Sequence, residues 1–492
     1  MNFMFSRSLF IILTGMFCIA FTVAKAQNNR QYFTGDNTDE SEFNKISKSA
    51  RRATRDLENL PPIFSIKQYA PVPLNQGSQG TCVAWSTAYA ARTISYCIQR
   101  QYTDPEKIKA TAFSPNYLYY YVKMQGDSNC VLGAKIEPAL KILMDKGDLL
   151  FSESLPDCVV NMDTIIDKKA KNNVIKAYTS LTTTFGRITK NEVITIKKSI
   201  SEKKPVIFSL KCFKSLFKVG ADGVWAMDQN DENISNHAVC IVGYDDNKFG
   251  GAFEVMNSWG TDWGNKGFFW LTYDQIMKYG AYALELMDRE VYDVNKTRGI
   301  KPEIKGNIDF VLTNDFGNDV AIMPVLRSNA GPSVLSNDNK PFAEYSLVEK
   351  YPAGQKFKIK FTTNAPAFVY IFALDDKQMV STLFPYAANI SPAINSTDAT
   401  VYLPSEAKHY KLNGDASRDK ICVLYSKTAL DFDNLKSKIS IPASDIYEVI
   451  KTLYKERLIP VKNISFKDDK INFSSLAAEQ ELLCFFIDLN HT

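Results

Sequence analysis

The chemistry open to this chain rests on a cysteine at the start of an uncharged helix and on a histidine that a short hairpin brings toward an asparagine. The segment Gln76-Gly-Ser-Gln-Gly-Thr-Cys82-Val-Ala-Trp85 places two glycines just before the cysteine, so the backbone can turn tightly and a helix can begin at the thiol. No charged residue falls between Cys82 and Ala91, which predicts a helix buried nearly all round. A thiol at the N-terminus of such a helix meets the positive end of its dipole, which favours thiolate. A packing cysteine is the plainer alternative, because free Cys is among the most buried residue types.

The chain holds three histidines, His237, His409 and His491, so any mechanism that needs imidazole must use one of them. His237 opens an apolar strand pattern, Ala238 to Tyr244, and Ala252 to Asn257 reads as the next strand. Asp245 to Gly251 between them is turn-like. Antiparallel pairing about that turn sets His237 opposite about residue 259 and Asn257 within about two positions of it. An imidazole beside an amide oxygen and under the Trp259 indole is a base held in one tautomer and shielded from water.

Positioning these groups requires helices first and strands later. Helical patterns run from Val83 to Ile98, Pro115 to Tyr121 and Glu137 to Lys146, and strand patterns from Pro205 to Leu210, Ala238 to Tyr244, Ala252 to Met256 and Gly267 to Thr272. That order, without alternation, predicts an α+β fold with two lobes. All five Trp lie between residues 66 and 288. Beyond a charged linker, residues 289–305, the Trp-free stretch 306–492 shows short alternating runs between Asn-, Asp-, Gly- and Pro-rich turns, the pattern of a β-sandwich. One helix is expected there, from Ser444 to Leu458, and Leu482 to Ile487 is apolar enough to be a buried closing strand.

The 492 residues carry 58 Lys+Arg against 54 Asp+Glu, a balance that gives no electrostatic case for a nucleic-acid partner. Residues 1–26 read as an export signal, with Arg7, an apolar run from Leu9 to Val23, and Ala24-Lys25-Ala26 as the cleavage pattern. That run is short of the ~20 residues a spanning helix needs, so a secreted or periplasmic protein without an integral membrane segment is expected. Residues 27–65 are polar, with a weak helical pattern from Phe43 to Leu60. They are read as a short pro-segment or as a solvated tail. No phosphate loop, Cys-x-x-Cys or His-Glu-x-x-His motif occurs, so no metal or cofactor is expected.

Taken together, Gln76, Cys82, His237 and Asn257-Ser-Trp-Gly260 resemble the papain family of cysteine peptidases over roughly residues 66 to 285. The resemblance implies a two-lobe catalytic domain, a helical lobe plus an antiparallel barrel-like lobe, at 66–288. It implies Cys82 as nucleophile, His237 as acid and base, Asn257 as orienter of the ring and Gln76 as oxyanion donor. It further implies Gly133 and Trp259 as substrate-binding residues, and a peptide or protein substrate. The chain departs from the family signature in having Gln79 where a cysteine is usual, Val83 directly after the nucleophile, and one glycine fewer in Cys130-Val-Leu-Gly133. Cys130 and Cys158 lie in polar loops at positions that resemble bridged cysteines of papain relatives, and a bridge between them is expected, with two unpaired loop thiols as the alternative. The C-terminal module resembles a domain of unknown function appended to secreted bacterial peptidases, its ligand or partner unknown. Two other functions fit the same residues: a catalytically silent peptide-binding protein, and a Cys-His-Asn acyltransferase.

Overall fold

The computed structural model describes residues 32–154, 164–227, 230–289, 304–314, 316, 318–327, 342–375, 379–412, 418–441, 445–467, 469–475 and 480–490. The expected export signal, Cys158 and His491 lie outside the described residues. Among those described, no helix is long and apolar enough to cross a membrane.

The uncharged run beginning at Cys82 forms one continuous helix to Arg100, with a wider π-helical middle from Trp85 to Arg92. Every residue from Cys82 to Ile94 is buried. The helix can be apolar all round because neighbours cover every side of it. Pro115–Val122 packs on one flank, its first turn capped by the Ser114 side chain, and Ile136–Asp145 packs beyond it. The strand Asn233–Asp245 covers another flank.

That strand belongs to a seven-stranded antiparallel sheet ordered Ala177–Ser180, Gly280–Met287, Val206–Phe213, Asn233–Asp245, Ala252–Met256 and Phe268–Thr272, with Ile63–Ser65 added on the central strand. Asn233–Asp245 starts four residues earlier than the apolar pattern implied, so His237 sits inside the strand opposite Leu210. Cys240 pairs with Met256 and Ile241 with Val255. This register carries His237 toward the turn that follows Met256, and a bulge after Ile241 absorbs the strand's extra residue.

The segment before residue 66 is neither a solvated tail nor a helix from Phe43 to Leu60. Its α-helix spans only Glu40–Lys45, capped by the Asp39 side chain, a single 3-10 turn follows at Thr54–Leu57, and Phe43 and Ile46 are fully buried in the core of the lobes. Ile46 turns to extended backbone, and residues 47–56 then run as a strap between the two bodies of the protein. The backbone there pairs at Lys48 with Asn389 and Ser391, at Ser49 with Ser180 and at Ala53 with Thr400. Those partners lie far away in sequence, so extended geometry wins over a weak local helical pattern.

The C-terminal region is β-rich. Two seven-stranded sheets share a core built from both, including Ile308, Phe310, Ile359 and Phe361 of one and Val369, Ile371, Val423 and Phe485 of the other. Leu482–Asn490 is no edge strand. It lies between Arg418–Ser426 and Ala343–Leu347, and all six residues from Leu482 to Ile487 are buried. The expected helix is Ile446–Tyr454, and a second one, Phe432–Ile439, joins it over the outer face of that sheet.

Candidate active site

Cys82 occupies the first turn of its helix and is fully buried. The backbone N–H groups of Ala238, Gly35 and Val83 point at its sulfur and favour the thiolate. Burial outweighs them: desolvation, with repulsion from the Asp36 carboxylate, pushes the thiol up to about 12. The thiolate expected at a helix start is therefore not the resting form here, because the helix end faces covering peptide instead of a wet cleft.

Ala238, whose N–H faces the sulfur, follows His237 in the chain, and no hydrogen bond joins the sulfur to Nδ1 of the ring. His237 Nε2 meets Asn257 Oδ1 at 2.7 Å. The amide is aimed by its own loop: Ser258 N–H donates to the same Oδ1 at 2.8 Å, and Asn257 N–H donates to Gly267 C=O at 2.9 Å. An oxygen that accepts from both sides requires the proton on Nε2, so Nδ1 carries the lone pair. Nδ1 is buried with no hydrogen-bond partner. Trp259 stacks on the ring at 4.6 Å and 16°. Burial lowers the imidazole to about 4, against which the Asn257 bond works. The base is neutral and its lone pair is available.

Gln76 is fastened to the same loop. Its N–H donates to Ser258 C=O at 2.8 Å, and its Oε1 accepts from Ser258 Oγ at 2.5 Å. Nε2 is thereby directed outward, where it donates to Gln79 C=O at 2.6 Å and to Phe33 C=O at 3.2 Å. Trp259 Nε1 donates to the same Phe33 carbonyl at 2.9 Å. A group that already holds one peptide carbonyl can hold another, or the oxyanion made from it.

Phe33 belongs to an arm, residues 32–38, that fills the space above Cys82. Tyr32 stacks on Trp259 at 5.0 Å. Gly35 lies against Gly80 so closely that a Cβ on it would stand 2.0 Å from Gly80 O. Asp36 bridges Ala134 on one side and Asn236 on the other. Asn37 N–H donates to Ala134 C=O at 3.0 Å, and Ala134 N–H donates to Gly35 C=O at 2.9 Å. Gly133 has φ +83, and a side chain there would strike Gly35 O at 2.4 Å, so glycine at this position leaves room for the arm. Asp36 itself is buried, its carboxylate accepting from the hydroxyls of Ser209 and Tyr282.

The sequence reading singled out Gln76, Cys82, His237, Asn257, Trp259 and Gly133, and the fold brings all six to one place. It missed the arm, Ser209 and Tyr282. The signal for the last two is a hydroxyl between apolar neighbours, Phe208 and Leu210 for one and Ala281 and Ala283 for the other. Cys130 is disulfide-bonded and buried at φ +58, which rules out an unpaired loop thiol at that position.

Residues 66–285 match the family model described as papain family cysteine protease, and residues 350–429 match a domain of unknown function. An uncharacterized peptidase C1-like protein of Acanthamoeba polyphaga mimivirus is 26% identical over 44% of this chain and 70% of its own length. Cathepsin K of Mus musculus is 25% identical over 41% of this chain, which spans 56% of that protein. Among solved structures, xylellain, a cysteine protease from Xylella fastidiosa, aligns over 55% of this chain and all of its own at a TM-score of 0.42 and 22% identity.

Proposed function

We propose that the papain-family cysteine peptidase domain of this chain, matched at residues 66–285, hydrolyses peptide bonds with Cys82, His237, Asn257 and Gln76. The observation that carries this reading is the 2.7 Å bond from His237 Nε2 to Asn257 Oδ1, which leaves Nδ1 without a partner on the residue next to Ala238, whose N–H faces the Cys82 sulfur. In the reaction, the Cys82 proton passes to Nδ1 as sulfur attacks the scissile carbonyl carbon. The carbonyl oxygen becomes an oxyanion, held by Gln76 Nε2 and the Cys82 N–H. His237 returns the proton to the departing amine, leaving a thioester on Cys82. Water, deprotonated by the same nitrogen, then hydrolyses the thioester and regenerates the thiol. Asn257 keeps the ring in register through both halves, and Trp259 keeps water off their bond.

The protein as it stands is latent. The arm blocks the sulfur, and it resists cleavage because Gly35 presents an N–H to Sγ where a substrate presents a carbonyl carbon. Residues 27–65 are thus a pro-segment whose root, the strap at 47–56, is held by both bodies. The C-terminal region contributes Asn389, Ser391, Thr400 and Glu406 to that grip. Its further partner is an interaction surface of unassigned chemistry. Export follows from the signal pattern at residues 1–26 and agrees with a disulfide at Cys130, since such bonds persist in oxidising compartments.

The test is incubation of purified full-length protein with a peptide library, following new N-termini by mass spectrometry. Hydrolysis should rise as the arm is lost. A silent peptide-binding protein would cut nothing at any time, and an acyltransferase would yield amide adducts with an added amine in place of free acids.

A further inference from the structure

The Asp36 side chain enters the body of the protein near Cys82, as that of Thr38 does beside it, and what receives Asp36 is a permanent feature of the sheet. Ser209 and Tyr282 are both fully buried and stand directly opposite one another on the paired strands Val206–Phe213 and Gly280–Met287. Both hydroxyls reach the same oxygen of Asp36, Tyr282 at 2.8 Å. The other carboxylate oxygen is served by Thr38 N–H at 3.0 Å, which belongs to the arm and departs with it. The groups that act most strongly on this carboxylate are the Ser209, Thr38 and Tyr282 hydroxyls and Thr38 N–H. What the sheet itself offers is therefore a pair of hydroxyls.

We infer that Ser209 and Tyr282 set substrate specificity, selecting peptides with Asp or Asn immediately before the scissile residue. This rests on the peptidase reading above. Geometry supplies the position. Gly35 lies at the sulfur, and its neighbour Asp36 pairs with Ala134 through bonds on both sides. A substrate strand on the same edge, turned end for end so that a carbonyl carbon replaces the Gly35 N–H at the sulfur, places the preceding residue against Ala134, and that side chain drops between the two strands. Chemistry supplies the preference. A short side chain with a hydrogen-bonding oxygen accepts from both hydroxyls, whereas Leu or Phe would leave them only each other. Sites built to hydrogen-bond a substrate reject the apolar analogue far better than apolar pockets reject a polar one.

The arm permits a first test on the full chain, read as the rate at which iodoacetamide alkylates Cys82. Asp36→Asn should keep Cys82 at least as protected as in wild type, and Asp36→Leu should raise the rate about tenfold or more. A Leu variant as protected as wild type overturns the inference. The opened Asp36→Leu protein is then given fluorogenic peptides with Asn, Asp, Leu or Phe second from the fluorophore. Asn or Asp should be cut at least about tenfold faster than Leu, and Tyr282→Phe in that background should narrow the ratio. A smaller preference, or a ratio untouched by Tyr282→Phe, overturns the assignment of the pocket while leaving the peptidase intact. An exposed, alkylated Cys82 that cuts none of the peptides overturns the peptidase reading, and this inference with it.

Discussion

A single added methyl group should unlock this enzyme. In Gly35→Ala the new Cβ would stand 2.0 Å from Gly80 O, 2.5 Å from Gly80 C and 2.6 Å from Gly80 Cα. All three are backbone atoms, so no flexible side chain can swing aside. Gly80 cannot retreat freely either, because its own N–H is bonded to Cys130 C=O at 2.7 Å and its Cα faces Val131 O. Forcing a methyl group into packed structure destabilises by roughly 1–3 kcal/mol. The strain exists only while the arm is seated, so the whole of it acts on the docking equilibrium. At about 1.4 kcal/mol per tenfold, the open fraction rises roughly 5- to 150-fold. Alkylation of Cys82 and initial hydrolysis should rise together by that factor, with any lag in activity shortened. The assay is pulsed alkylation with peptide mapping, run beside a fluorogenic progress curve. A Gly35→Ala protein with wild-type protection at Cys82 would refute the claim that the arm docks as a tight plug.

Asn257→Ala should lower kcat/KM by about ten- to a hundredfold, because a lost buried hydrogen bond of roughly 1–3 kcal/mol frees the His237 ring; an unchanged rate would remove Asn257 from the mechanism. Gln76→Ala should reduce kcat by about 10²–10³ with little change in KM, as expected of an oxyanion donor; single-turnover kinetics separates the two. Burial raises the Asp36 carboxyl above its ordinary value of 3.8, against the hydrogen bonds of Ser209, Thr38 and Tyr282. A raised value in the docked state means that its contribution is full below pH 3.8 and is lost as pH rises through the docked value. Relative to Asp36→Asn, wild-type protection of Cys82 should therefore weaken with rising pH. A pH-independent difference would show that this carboxyl does not titrate on docking.

What was legible beforehand follows from how local each signal is. The helix at Cys82 rests on ten consecutive uncharged residues, and the meeting of His237 with Asn257 rests on one hairpin whose register a period of two fixes. Both are short-range inferences, and both geometries were found. The strand start at Asn233 was misjudged because three of the four residues from Asn233 to Asn236 are polar, yet this stretch pairs with Val206–Phe213 and Asp36 through its backbone. The arm was illegible for a stronger reason. Its decisive contacts span 173 residues from Asp36 to Ser209 and 246 to Tyr282. Composition read along the chain sees only a polar run, since what buries Asp36 lies in other strands. The strap at 47–56 was hidden in the same way, its partners being Ser180, Asn389 and Thr400.

The most direct test of the account is the site of the covalent intermediate. Full-length Gly35→Ala protein is mixed with an activated peptide ester, quenched in acid within milliseconds to seconds, digested and mapped by mass spectrometry. The account predicts a single acyl thioester on the peptide bearing Cys82, forming and decaying at rates that match turnover, and neither adduct nor hydrolysis in the same protein carrying Cys82→Ala. An adduct on any other residue, or hydrolysis that survives Cys82→Ala, would contradict it.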